Sequence, residues 1–452
     1  MEKGGFYELE YREHGLGIAI TAIFLAGEMA GTGVLSLPHA LKDTSFYGLM
    51  LITLFTVNTM YVGSRLGLCW VMMEERYEKF RGQVRDPYPS IGEVAIGKIG
   101  RHVSSICIAC TLYGGGCVII VLISEMLRDL FIQLGKTTET NLCLSLCVWM
   151  VIVVAILIPI TWLGTPNDFW PIAVGALVTT VVACTIICVM VIIEDAKCAV
   201  SEPSFPTPED PMGFFKAFGT IMFAFSGAST FPTIQADMRD RTKFPISTTV
   251  ALSILFILYI SMAACGYFIL GDQATPNIID SLCEGPMKVT VQITILLHLF
   301  SALPILINAP NQYFENILSI PKNFNIKRCL WRTFSFSCLL FIAETIPNFG
   351  SILDLVGAST VTMLTFVFPP LFYMRLCDMS KENPKWIPRD IKIYERIYCY
   401  FLITLGVVGG GLATYNAMKN IISDFKVAPC YISTDSCTPH IDTSNDTTIF
   451  LF

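Results

Sequence analysis

The sequence predicts an all-α polytopic membrane protein with about eleven transmembrane helices. Three observations carry that prediction. Apolar runs of about 20 residues, the length a helix needs to cross a bilayer, recur along the whole chain. Hydrophobic residues make up 53% of it and charged residues only 15%, which leaves almost no surface for a soluble domain. Lys and Arg gather in alternate connecting loops, the pattern of a chain that crosses a membrane repeatedly.

The expected spans are about 17–39, 47–73, 102–132, 141–161, 170–194, 213–236, 245–270, 287–318, 330–345, 351–375 and 396–424. The third and eighth are long enough to tilt, and the ninth is short. A tail of residues 1–16 precedes them. It is polar and lacks the basic start of a secretory signal, so none is expected. A second tail, 425–452, follows.

Orientation follows from the basic residues. The loop 74–101 carries Arg76, Lys79, Arg81, Arg85, Lys98 and Arg101. The loop 237–244 carries Arg239, Arg241 and Lys243, and the connector after the eighth span carries Lys322, Lys327, Arg328 and Arg332. With the loop 375–396 and the N-terminal tail, one side collects 21 of the 30 basic residues. That side is expected to be cytoplasmic, with the C-terminal tail extracellular or lumenal. The sequon Asn445-Asp446-Thr447 in that tail agrees with it and makes Asn445 a glycosylation candidate. Of the 17 cysteines most lie in apolar spans, where they behave as small hydrophobes. On the expected outer side a Cys198–Cys283 disulfide would join two loops, and Cys430–Cys437 would close a small tail loop; free thiols are the alternative. No metal-ligand spacing occurs, and neither metal nor organic cofactor is expected.

Two spans are interrupted. The first reads Gly27-Glu28-Met29-Ala30-Gly31-Thr32-Gly33 with Pro38 following; the sixth reads Phe225-Ser226-Gly227-Ala228-Ser229-Thr230 with Pro232 following. Glycine clusters and a nearby proline weaken a helix at mid-membrane. The backbone groups so exposed are tolerated only where they line a cavity or are covered by protein. Each break opens a block of five spans, and because five is odd the blocks are inverted: about 17–194 and 213–375, with the span 396–424 as an appendage. Paired breaks in corresponding halves point to the substrate site of a secondary transporter.

Four stretches together resemble the amino acid/auxin permease superfamily, including its proton-coupled and vesicular amino acid transporters. They are Gly31-Thr32-Gly33-Val34-Leu35-Ser36-Leu37-Pro38; the run 218–227 followed by Gln235-Ala236-Asp237-Met238; Pro304, Asn308, Pro310 and Asn311-Gln312; and the run 353–360 with Pro369-Pro370. The resemblance implies a leucine-transporter-type fold, with a 5+5 inverted repeat whose helices 1 and 6 are broken. It also implies amino acid symport with protons or sodium, by a monomer in the plasma membrane or in a lysosomal or vesicular membrane.

An amino acid is a zwitterion, and the breaks offer both kinds of partner. N–H groups at Gly31, Thr32 and Gly33 can take its carboxylate, helped by the positive end of the following half-helix. Carbonyls around Phe225, Ser226 and Gly227, with the hydroxyls of Ser226 and Ser229, can take its ammonium. The competing readings are a small-residue packing face for the glycines and back-bonding to their own helix for the serines. Glu28 is a carboxyl inside an apolar span. It suits proton coupling, permanent pairing with a cation such as Arg65, or outward solvation. His298 could share the proton or be merely hydrogen-bonded. Tyr113 could bond the substrate carboxylate, and the glycines 114–116 after it could instead serve close packing. Asp354 reads as a helix cap. Sodium coupling would need an oxygen cage, to which Thr32 could contribute.

Among other function classes, a sensor would usually carry a longer N-terminal arm. A channel would want a polar stripe or charged ring, and an enzyme a nucleophile–base pair or phosphate loop. No nucleic-acid partner is expected of a chain with net charge −6. The expected partners are an amino acid and the bilayer.

Overall fold

The backbone inside a bilayer has no water to bond, so each apolar segment closes its own hydrogen bonds as a helix. A computed structural model describes residues 15–82, 84, 86–138, 144–162, 170–198, 204–205, 211–321, 324–382, 386–424 and 430–431. Among these there is no β-strand, only one isolated bridge between Leu16 and Met238. The sequon at Asn445, Cys437 and the side chain of Cys198 lie outside the described residues.

Helix α1 (Ile18–Met29) ends at the first break; after a 3₁₀ turn, Thr32–Ser36, α2 (Leu37–Thr44) continues it. The two pieces are bent by 52°. Then come α3 (Phe46–Arg76), α4 (Pro87–Ile96), α5 (Lys98–Thr138), α6 (Leu146–Trp162) and α7 (Trp170–Cys198). The second half starts with α8 (Pro211–Ala224), the 3₁₀ turn Ser226–Thr230 and α9 (Phe231–Ala236), so the second break is built like the first. It continues with α10 (Phe244–Leu270), α11 (Pro286–Ile317) and α12 (Ile326–Thr345). Next, α13 (Phe349–Val356) passes through π-helical turns into α14 (Phe368–Glu382), and α15 (Ile393–Asp424) follows. Pro38 and Pro232 each fall in the first turn of the helix after a break, where a missing N–H costs nothing. Among the described residues seven helices are long and apolar enough to cross a membrane, eight if the bent pair α1–α2 counts as one.

The helices sort into two packed groups. Helices α1, α2, α3, α8 and α10 pack on one another, as do α5, α6, α11 and α12; α7 contacts both groups. On the far side α13, α14 and α15 pack against α8, α5 and α3.

Three expectations need correction. The segment 74–101, read as a loop, contains α4, whose first turn holds Pro87 and Pro89 and whose Gly92 meets Gly100 of α5 at backbone contact. Tyr88 there is buried and donates to Leu364 O at 2.7 Å. Arg332, assigned to a basic connector, is instead 2% exposed inside α12. Its guanidinium donates to Glu315 (2.6 Å), Asn308 (2.9 Å) and Thr161 O (2.5 Å), so its charge is paired and its donors are used. Cys430 does not close a tail loop: it is bonded to Cys147 at the start of α6. The neighbouring Tyr431 stacks on Phe341 of α12, so residues 430 and 431 are held against α6 and α12. Cys283 is disulfide-bonded as well.

Candidate functional site

The two breaks lie against each other, and glycine makes that possible. A Cβ on Gly227 would fall 2.3 Å from Met29 Cγ, and one on Gly33 would fall 2.7 Å from the Ala224 Cα. Neither position tolerates a side chain without moving its neighbour. Gly31 differs: a Cβ there would meet nothing within 4 Å. So close packing accounts for Gly33 and Gly227, and open space accounts for Gly31.

Breaking the helices leaves backbone groups to be satisfied. At the end of α1, Met29 O accepts from Gly31 N (2.8 Å), and Ala30 O accepts from the Thr180 hydroxyl of α7 (2.9 Å). The hydroxyl of Tyr259, in α10, reaches Met29 O (3.0 Å) and Ala224 O (2.7 Å) together, so one side chain ties both breaks. The first backbone bonds after the breaks are Val34 N to Gly31 O and Ala228 N to Phe225 O, each 3.4 Å. The N–H groups of Thr32, Gly33, Ser226 and Gly227 therefore have no backbone acceptor among the described residues. The carbonyls of Gly27, Glu28 and Phe223 accept no bond from the described residues.

All seven of these residues line one cavity of about 120 Å³. Its other walls are mostly apolar: Phe24, Leu112 and Ile119, with Leu299, Ile305 and Leu306 of α11. Two ionisable side chains enter it, Glu28 and His298. The Glu28 carboxyl has no hydrogen-bond or ion partner among the described residues. Its sequence-suggested partner, Arg65, is taken: the guanidinium lies 2.9 Å from Glu395 of α15. His298 Nδ1 lies 3.5 Å from the Thr179 hydroxyl.

Of the residues singled out in the sequence, the fold brings Glu28, Gly31, Thr32, Gly33, Ser226, Gly227, Ser229 and His298 to this one cavity. Two others stand outside it. Tyr113 donates to the Asn311 Oδ1 at 3.0 Å and stacks on Phe314. In its segment Gly114 and Gly116 pack against Val356 and Ile307, while Thr111 and Gly115 face the cavity. The Phe225 ring is buried edge-on against Tyr259, and Phe223 takes the wall. Ser229 also back-bonds to Ser226 O at 3.3 Å. Asp354 is no cap; Asn348 caps α13 by accepting from Ser351 N, while Asp354 accepts from Thr220. Sequence reasoning missed Tyr259 and Thr180. For Tyr259 a signal existed: a phenol in an otherwise apolar span needs a partner for its hydroxyl.

Two discontinuous helices meeting around one cavity, each break lining it with backbone donors and acceptors left without backbone partners among the described residues, are the architecture of a helical membrane transporter. Solved structures share this fold. The structure titled MhsT in complex with L-phenylalanine superposes with a TM-score of 0.54 at 12% identity, covering 90% of this chain and all of that one. The nucleobase-cation-symport-1 transporter MHP1 gives 0.57 at 14% identity, covering 93% and 95%. The chain belongs to the family described as transmembrane amino acid transporter protein, whose pattern matches residues 14–413. Among its relatives in Arabidopsis thaliana are amino acid transporter AVT3B, 26% identical over 89% of this chain and 92% of that one, and AVT1D, 24% identical over 87% and 68%.

Proposed function

We propose that the protein is a secondary active carrier of small or neutral amino acids, working by alternating access and driven by protons. In this reading the substrate carboxylate takes the N–H groups of Thr32 and Gly33, and its ammonium takes the carbonyls of Gly27 and Phe223. Glu28 carries the coupling proton, because a carboxyl on the cavity wall with no partner among the described residues can load beside the substrate and unload on the other side, whereas His298, the other ionisable wall, already meets the Thr179 hydroxyl. That unpartnered carboxyl is the observation that carries the reading. The names of the relatives support the substrate class. The Cys147–Cys430 bond supports an oxidising side for the C-terminal tail, hence a cytoplasmic N-terminus.

The test is uptake of a panel of radiolabelled amino acids by cells expressing the protein, at acid and neutral pH, with and without sodium. Uptake that rises in acid, needs no sodium and loses its pH dependence in Glu28→Gln is the expected result. Sodium-dependent uptake indifferent to Glu28→Gln would remove the proton from the mechanism and bring forward an oxygen cage including Thr32.

A further inference from the structure

The two helices that hold the breaks by hydroxyl groups also carry a pair of thiols. Thr180 of α7 holds Ala30 O, and Tyr259 of α10 holds Met29 O and Ala224 O. On α7, Cys184 and Cys188 follow Thr180 at steps of four residues, so the three share one face. On α10, Met262 and Cys265 follow Tyr259 at steps of three and share another. The two helices pack on each other along these faces. Cys188 Sγ lies 3.9 Å from Met262 Sδ, and the Cys188 thiol is hydrogen-bonded to that of Cys265.

Both thiols are free and half-buried, whereas Cys184 and Met262, nearer the breaks, are buried. A cysteine acting only as a small hydrophobe needs no second sulfur beside it. Thiols already in contact across two helices need little movement to bond. Cys188 lies five residues before Ile193, where the apolar span of α7 ends, and Cys265 five before the end of α10 at Leu270, in each case about 7.5 Å of helix. On the orientation proposed above, both ends face the oxidising side, where Cys147 and Cys430 are already bonded.

We infer that Cys188 and Cys265 form a modification site: a dithiol that a low-molecular-weight disulfide converts into a bond between α7 and α10, arresting the carrier. One thiol gives up its proton, and its sulfur attacks the reagent R–S–S–R. One R–S⁻ leaves and takes that proton. The second thiol gives up its proton and attacks the protein sulfur of the mixed disulfide. The other R–S⁻ leaves and is protonated in turn. The pair thus loses two protons and two electrons, and the reagent departs as two R–SH. Helix α7 contacts both packed groups and α10 belongs to one, so the new bond fixes the seam between them. It sits about two turns beyond the Thr180 and Tyr259 hydroxyls that hold the breaks. Alternating access needs one group to move against the other, and a covalent tie at the seam opposes that motion. The arrest rests on the transport reading; the bond does not.

The experiment treats the purified full chain with cystamine, a small disulfide, and maps its unreduced peptides by mass spectrometry. Uptake by expressing cells is measured in parallel. The expected result is a peptide pair linked through Cys188 and Cys265, with uptake lost on treatment and regained with dithiothreitol. Cys265→Ser is expected to lose the linked pair and keep its uptake under cystamine. Cys188→Ser is expected to do the same, and decides if Cys265→Ser fails to fold. Thiols at Cys188 and Cys265 left unreacted, or each capped separately, overturn the inference. So does a linked pair that leaves uptake unchanged, or an arrest that persists in both serine variants. If untreated cells take up no amino acid, the transport reading fails, and the peptide map alone decides the dithiol.

Discussion

Replacing Tyr259 with Phe removes one oxygen from the point where both broken helices are tied. The ring stays packed edge-on against Phe225, with centroids 5.5 Å apart, so no cavity larger than a hydroxyl opens. What is lost is the donor shared by Met29 O and Ala224 O, in a residue wholly buried. A hydroxyl has one proton, so the two contacts are alternatives and count as little more than one bond. Hydrogen bonds between membrane helices average about 0.6 kcal/mol and reach about 1.7, and here Ala224 O loses its donor while Met29 O keeps Gly31 N, so the expected cost is about 1–2 kcal/mol. With an unfolding entropy of about 2.1 cal/mol/K per residue, that corresponds to a melting shift of only about 1–2 °C for this chain. Transport should suffer more, because the variant loosens the geometry of both half-helices at the substrate cavity, and small misplacements there are expensive. The assay pairs thermal unfolding of the purified protein with initial uptake rates at matched surface expression. A Tyr259→Phe protein that melts slightly lower and transports several-fold more slowly is the expected result. One with wild-type uptake would refute the claim that this hydroxyl sets the breaks.

Two further outcomes follow from the same geometry. Gly33→Ala should be the more damaging of two alanine substitutions, since its Cβ would meet the α8 backbone at 2.7 Å, whereas Gly31→Ala should leave stability near wild type and impair uptake of bulkier substrates first; melting curves and a substrate panel on both variants separate the two, and equal melting loss would contradict it. Glu74→Gln should destabilise by about 3 kcal/mol, because Glu74 and Arg241 form an ion pair at 2.8 Å with side chains 0% and 4% exposed, and removing one partner leaves a buried charge; a shift too small to measure in thermal unfolding would show that water reaches the pair.

The breaks were legible because their chemistry is local. Gly31, Gly33 and Gly227, with Pro38 and Pro232 close behind, mark a helix that stops and restarts wherever the chain is placed. The residues around Tyr113 were less legible for a geometric reason. Helix α5 presents a new face every residue, and hydropathy in a chain apolar all round does not say which face looks inward. Tyr113 thus turned to Asn311, and Thr111 and Gly115 reached the cavity instead. The same two-residue ambiguity exchanged Phe225 for Phe223. Charge counting placed Arg332 in a connector because it follows Lys322, Lys327 and Arg328 at the edge of an apolar run; only the fold supplies Glu315, Asn308 and Thr161 to bury it.

By itself the sequence determined that this chain is helical, crosses a membrane many times and breaks two of its helices at corresponding places, because bilayer thickness and backbone bonding leave an apolar chain few other choices. Only the tertiary structure decided what those breaks face. It set Tyr259 across two carbonyls, gave Arg65 to Glu395 so that Glu28 has no partner among the described residues, and tied Cys430 to Cys147. Each is a contact between residues far apart in the chain, fixed by how rigid helices pack, and no local pattern encodes such a contact.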